Sequence, residues 1–171
     1  MIIKDLRTFT LRSDPIVPKD FWEERLVRPV DIYERFRDER PHQSEEEKAF
    51  EQIFLEVIVE NCDEKGIFGP ISARTARIIK ESLKPLILGE DPFSVEKLWD
   101  IMYRSQIHGR KGETMIAISA VDCALWDFIG KFRKEPVVRL LGGPVQEKIP
   151  AYASMLGFSV KPEDAARRSQ E

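Results

Sequence analysis

The stretch AISAVDCALWDFIGKFRKEPVVRLLGG, Ala117 to Gly143, limits the possible folds of this chain more than any other. Its first half is apolar almost all the way round at helical spacing. Ala117, Ala120, Val121, Ala124, Leu125 and Phe128 form one face, and Ile116, Ile118, Trp126 and Ile129 extend the apolar surface around the rest. A helix of this kind must be covered on most sides, which predicts a central position in a helical bundle. It nevertheless carries Asp122 and Asp127. A buried carboxylate is costly unless paired. Both are therefore read as structural, tying the helix to neighbouring backbone or to basic partners such as Lys131 or Arg139, and not as a general acid or a metal ligand.

The chain leading to this helix divides into two zones. MIIKDLRTFTLRS alternates β-branched and aromatic residues with polar ones and reads as a strand. A charge-rich stretch from Asp14 to Lys48 follows, punctuated by Pro15, Pro18, Pro29 and Pro41. Prolines at that density break regular elements, so roughly 35 residues form an irregular connection, with one helical turn around DIYERF. FEQIFLEVIVENCDEKGIFG then reads as a hairpin, with Ile53, Leu55, Val57 and Val59 on one face and turn chemistry in CDEKG. From Ser72 the period changes to helical. SARTARIIKESLKPLI has Ser72 as N-cap and Ile79 and Leu83 on one face. FSVEKLWDIMY has Ser94 as cap, with Val95, Leu98, Trp99 and Met102 at i, i+3, i+4, i+7. Strands first and helices after is the α+β pattern, here a three-stranded antiparallel meander followed by a helical bundle. Beyond Gly143, IPAYASML reads as one more strand and KPEDAARRSQE as a helix start, the opening of a βα unit.

Composition narrows the class. With 27 basic and 30 acidic residues well mixed, the chain lacks the basic stripe of a nucleic-acid or membrane-surface protein. No segment approaches the ~18 apolar residues of a membrane span, and MIIKDLRTFT lacks a signal-peptide layout. Cys62 and Cys123 lie far apart without metal-ligand spacing, as free thiols of a cytoplasmic protein would. LLGG lacks the context of a phosphate loop and reads as a turn.

The run A-I-S-A-V-D-C-A-L-W-D-F-I-G-K, four residues, then P-V-V-R-L-L-G-G resembles the signature of the mandelate racemase/muconate-lactonizing branch of the enolase superfamily. The likeness runs through Ala117, Ser119, Asp122, Ala124, Leu125, Trp126, Asp127, Gly130, Lys131, Pro136, Leu140, Leu141 and Gly142. It implies an N-terminal capping domain over residues 1–143 and the first strand of a TIM barrel over 144–171. In that family the long loop after the first strand and the hairpin turn of the meander close over the barrel and shape the substrate pocket. The barrel supplies a base that removes the proton α to a carboxylate, and Mg²⁺ held by three acidic residues stabilises the enediolate. A whole barrel takes roughly 200 residues or more, and 144–171 cannot hold one. The expectation is a truncated chain, inactive alone, with no catalytic base and no metal ligand of its own.

WEERLVRPVDIYERFRDER further resembles the cap loop of acid-sugar dehydratases of the rhamnonate dehydratase kind, through Pro29, Tyr33 and Arg40. The resemblance implies a hydro-lyase acting on a small polyhydroxy carboxylate. Arg40, Arg28, Trp22 and Tyr33 are the candidate substrate-binding residues, since a guanidinium fork suits a planar carboxylate. The alternatives are a racemase, epimerase or cycloisomerase on the same scaffold, or a non-catalytic binding or oligomerisation module. The last would expose an apolar patch around the signature helix and Val137 to Leu141. Family members tend to be homo-oligomers. His42 and the basic loop with Arg104, Arg110 and Lys111 read as solvated surface, and His108 in that loop is expected to pack against the barrel or a subunit neighbour.

Overall fold

The computed structural model describes residues 1–13, 29–36, 51–152, 166–167 and 170. The chain divides into two compact units, 1–12 with 51–147 and 13–50 with 148–171. In the first unit, strands β1 (Ile3–Arg12), β2 (Glu51–Val59) and β3 (Lys65–Ile71) form an antiparallel sheet in the order β1-β2-β3. This is the meander expected from the alternating pattern. The inward face carries Leu6, Leu55, Val57 and Val59, all buried. Ile3 is buried beside them despite its opposite parity to Leu6, because the register slips between Ile3 and Asp5 and a bulge turns both inward.

Helices cover that face. α1 (Ala73–Ile78) starts at Ser72, whose Oγ accepts the Thr75 N–H at 3.0 Å. The helix widens to a π-turn over Ile79–Leu83, where the Lys84 N–H donates to the Ile79 carbonyl, and resumes as α2 (Lys84–Ile87). Pro85 explains the widening. It has no N–H for the Glu81 carbonyl and its ring crowds that position, so the helix relaxes locally and does not break. Ile79 and Leu83 point into the core across the irregularity. α3 (Val95–Ser105) buries Val95, Leu98 and Met102. Ser94 holds the N-cap position but makes no capping hydrogen bond through its side chain. The Asp91 carboxylate instead accepts the Phe93 N–H at 3.1 Å.

The signature stretch becomes α4 (Glu113–Arg133), with Ala117, Ile118, Ala120, Val121, Ala124, Leu125, Phe128 and Ile129 buried. Its setting is not purely helical. α4 lies directly against β3: a Cβ on Gly66 would come 1.9 Å from the Ala124 carbonyl oxygen and 2.8 Å from the Phe128 Cβ. Only a residue without a side chain lets a strand and a helix backbone meet this closely. The sheet, together with α1 and α3, covers the helix that the sequence pattern placed inside a bundle. Ile116 is exposed, so the apolar girdle is open on one side.

α4 ends at Lys134, a left-handed residue, and the chain returns through α5 (Val137–Leu140) to Gly142 and Gly143. Both glycines have positive φ, 106° and 95°, the backbone role the sequence assigns them. Residues 149–152 are not in a strand, and 153–160 lie outside the described residues. In the second unit Pro29–Ile32 and Glu34–Phe36 form 3-10 turns where DIYERF predicts one helical turn. Among the described residues no helix is long and apolar enough to cross a membrane.

Candidate functional site

The carboxylates of the first unit differ sharply in what surrounds them. Glu56 sits mid-strand on the outward face of β2, where its alternation with Leu55 and Val57 places it. Its side chain is 7% exposed. One oxygen accepts Arg7 Nη2 at 2.5 Å and Nε at 3.0 Å, and the other meets Lys65 Nζ at 3.1 Å, so the ion cluster spans all three strands. Burial pushes this carboxyl up, but hydrogen bonds from Lys65 and Arg7, with their charges, outweigh it and hold the group below its ordinary value. Phe9 and Phe54 stack beside the cluster at 5.8 Å. The sequence reading missed this triad. The available signal was a single Glu at outward parity in the apolar run IFLEVIV.

Asp127 on α4 accepts the Ile67 N–H at 2.7 Å and Lys131 Nζ at 2.6 Å. Lys131 also donates to the Lys65 carbonyl at 3.2 Å. This is the structural role expected of it, with both backbone and Lys131 as partners. Asp122 departs from the same expectation. It makes no hydrogen bond or ion pair among the described residues, and Arg139 is not its partner. It is half-buried, and burial first, then the Glu96 charge on α3, push its carboxyl above the ordinary value. Burial and the Asp122 charge likewise push the Cys123 thiol up. Cys62 and Cys123 are both free.

A cavity of about 570 Å³ opens where α3 and α4 diverge, lined by Phe93, Trp126, Ile129 and Leu140 with charged Glu96, Lys97 and Arg133. The Arg133 guanidinium lies 5.5 Å from the centroid of the Phe93 ring. Nearby apolar side chains are open to solvent, with Val138 and Phe132 exposed and Leu141 63% exposed.

Of the four candidate substrate-binding residues, Trp22, Arg28 and Arg40 lie outside the described residues, as does His42. Tyr33 is described. Its N–H donates to the Val30 carbonyl at 3.1 Å and its side chain is 61% exposed. The structure therefore brings none of the four together among the described residues. His108 is exposed. The basic loop around it is partly engaged: Arg104 pairs with Asp100 at 2.7 Å, and Arg110 stacks on Tyr103, itself stacked on Trp99. Among the described residues no group of three or more His, Cys, Asp or Glu side chains could hold a metal ion. Glu56 and Asp127 are already committed to cations, and Asp122 has a single carboxylate, Glu96, acting on it, so among the described residues these do not make up a three-carboxylate Mg²⁺ site.

Residues 44–142 match the model of the mandelate racemase/muconate lactonizing enzyme N-terminal domain. An L-rhamnonate dehydratase of Saccharopolyspora erythraea is 35% identical over 144 residues, covering 80% of this chain and 35% of that protein. An arabinonate dehydratase of Saccharolobus solfataricus is 43% identical over 94 residues, covering 54% of this chain and 25% of that protein. The chain thus spans only about a third or less of the length of these relatives. The crystal structure of rhamnonate dehydratase from Gibberella zeae complexed with Mg superposes with a TM-score of 0.66 at 23% identity, over 85% of this chain and 38% of that one, a likeness of fold. The sheet, the signature helix and these matches agree: the chain belongs to the mandelate racemase/muconate lactonizing enzyme N-terminal domain family, within the enolase superfamily.

Proposed function

We propose that this chain is the capping and specificity-setting part of an acid-sugar dehydratase. Such an enzyme removes the proton α to a carboxylate and then eliminates the β-hydroxyl as water. The observation that carries this reading is the 35% identity over 144 residues to an L-rhamnonate dehydratase, supported by the arabinonate dehydratase likeness. In this reading residues 1–143 form the cap and 144–171 begin a barrel. Arg40, Arg28, Trp22 and Tyr33 contact a polyhydroxy carboxylate, the arginines by paired hydrogen bonds to its planar oxygens. The α proton is too weakly acidic to leave without strong stabilisation of the resulting anion, and in the parent enzyme Mg²⁺ supplies it. The described residues of this chain provide no set of ligands for that ion, and the chain by itself is inactive. The same reading includes a cytoplasmic location and self-association, which cell fractionation and light scattering check.

The deciding experiment is the intact mass of the protein from its native source, followed by assay on L-rhamnonate and arabinonate with Mg²⁺. The expected result is a species well above 19.8 kDa that forms a 2-keto-3-deoxy acid. A 19.8 kDa species without that activity would overturn the dehydratase reading and favour a binding module.

A further inference from the structure

We propose that Asp127 and Lys131 act together as a latch that fixes the β2–β3 turn, residues 60–64, and that through this turn they are positioning residues for substrate discrimination. The second half rests on the dehydratase reading above, and on the family resemblance implying that the hairpin turn closes over the substrate pocket. The first half stands on geometry alone.

Among the described residues β3 is an edge strand, with β2 on one side only. Gly66 pairs with Val57, and the neighbouring Lys65 carbonyl and Ile67 N–H point away from the sheet to groups on α4. In a parallel pair, one residue of the added strand donates its N–H to a carbonyl and accepts, through its own carbonyl, the N–H two residues further along. Lys131 Nζ donates to the Lys65 carbonyl at 3.2 Å, and Asp127 Oδ2 accepts the Ile67 N–H at 2.7 Å. The two side chains therefore do what one residue of a fourth strand would do. An i, i+4 spacing puts them on the same helix face, and their own contact at 2.6 Å keeps the acceptor and the donor together. The close approach of Gly66 to Ala124 brings α4 within reach.

The latch grips β3 at its first residues, immediately after the turn. The near side of the turn is fixed independently, since the Glu60 N–H donates to the Ile2 carbonyl at 2.9 Å and Cys62 packs against the core. Between these anchors Asn61 has a left-handed φ of 55°. Without the latch the start of β3 keeps its pairing to β2 and the Lys65–Glu56 ion pair but loses its partners on the open edge, so it can fray there. The loss should be local, because the inward face of the sheet is held by Leu55, Val57 and Phe128, which the latch does not touch.

The test is amide hydrogen exchange on the protein as its source makes it, comparing wild type with Lys131→Met and Asp127→Asn. The expected result for Lys131→Met is at least about tenfold faster exchange at Ile67 and over residues 60–64, with β2 at Leu55 and Val57 unchanged. Both variants keep an acceptor for Ile67 and lose the ion pair, but in Asp127→Asn Lys131 can still donate to the Lys65 carbonyl, so that variant should fall between wild type and Lys131→Met. Unchanged exchange in Lys131→Met, or equal acceleration throughout the sheet, overturns the latch. Lys131→Met leaves no buried polar group unpaired, so it keeps the test valid if Asp127→Asn fails to fold. The same variants are then assayed for the ratio of kcat/KM on L-rhamnonate to that on arabinonate. A shift in the ratio carried by KM supports the positioning role, and an unchanged ratio with faster exchange overturns it. If wild type turns over neither acid, the dehydratase reading has failed, and the exchange comparison still decides the latch.

Discussion

Asp122 and Asp127 stand five residues apart on one helix and live in opposite conditions. Asp127 faces β3, where it finds a backbone donor and a lysine one turn away. Asp122 faces α3, where the like charge of Glu96 acts on it. The first side is closed by a backbone contact so tight that Gly66 has no room for a methyl group. The other borders a cavity lined by Trp126 and Phe93. A finished interface satisfies its polar groups. The face of α4 toward β3 is finished in this sense, whereas the face around Asp122 carries a half-buried charge without a partner among the described residues.

The most forceful way to break this contrast is Gly66→Ala. The new Cβ would lie 1.9 Å from a backbone oxygen that cannot swing aside. Helix and strand must separate, at a cost of about 3 kcal/mol or more, the upper end of overpacking. Denaturant unfolding should show it, and a stable variant would mean that the finished face is looser than described. Acid comes next. Glu56 is held below its ordinary value of 4.5, so its contribution is present above that pH and is lost as pH falls through the lowered folded-state value. Glu56→Gln should cost about 1.5–3 kcal/mol at pH 7, the scale of a hydrogen bond to a charged group, and the difference from wild type should shrink below pH 4.5. A pH-independent deficit would assign its role to packing.

Asp122→Asn has the smallest expected effect, and its sign is reversed. A carboxyl raised above 3.8 in the folded state contributes stability below that pH that is lost as pH rises through the folded value. Removing the charge should therefore stabilise this chain at pH 7, by about 0.5 kcal/mol, the scale of a substitution outside the core. The gain should vanish near pH 3.8 and below. Melting curves at both pH values check this. Destabilisation at pH 7 would mean that Asp122 has a cationic partner in solution.

Much of the fold was legible because its signals are periodic. Alternation at Ile53, Leu55, Val57 and Val59 marked the hairpin, the i, i+3, i+4 repeat at Val95, Leu98 and Met102 marked α3, and Ser72 marked a helix start that its hydroxyl does cap. Ser94 shows the limit of that rule, since the cap position is filled but its side chain makes no bond. The candidate site was less legible. Its proposed residues cluster in the proline-rich connection, where no period constrains the chain, and three of the four lie outside the described residues.

The sequence alone determined the strands and helices up to α4, the inner face of α4 and the family, because burial and local propensity leave residue patterns that repeat along the chain. Only the tertiary structure decided which carboxylate is paired, that α4 lies on a sheet as well as on helices, and that a helical Asp–Lys pair takes the place of a strand. Those outcomes depend on distances between residues some 60 positions apart, and no local pattern encodes them. The same apolar helix and the same two aspartates satisfy the pattern equally well in either setting.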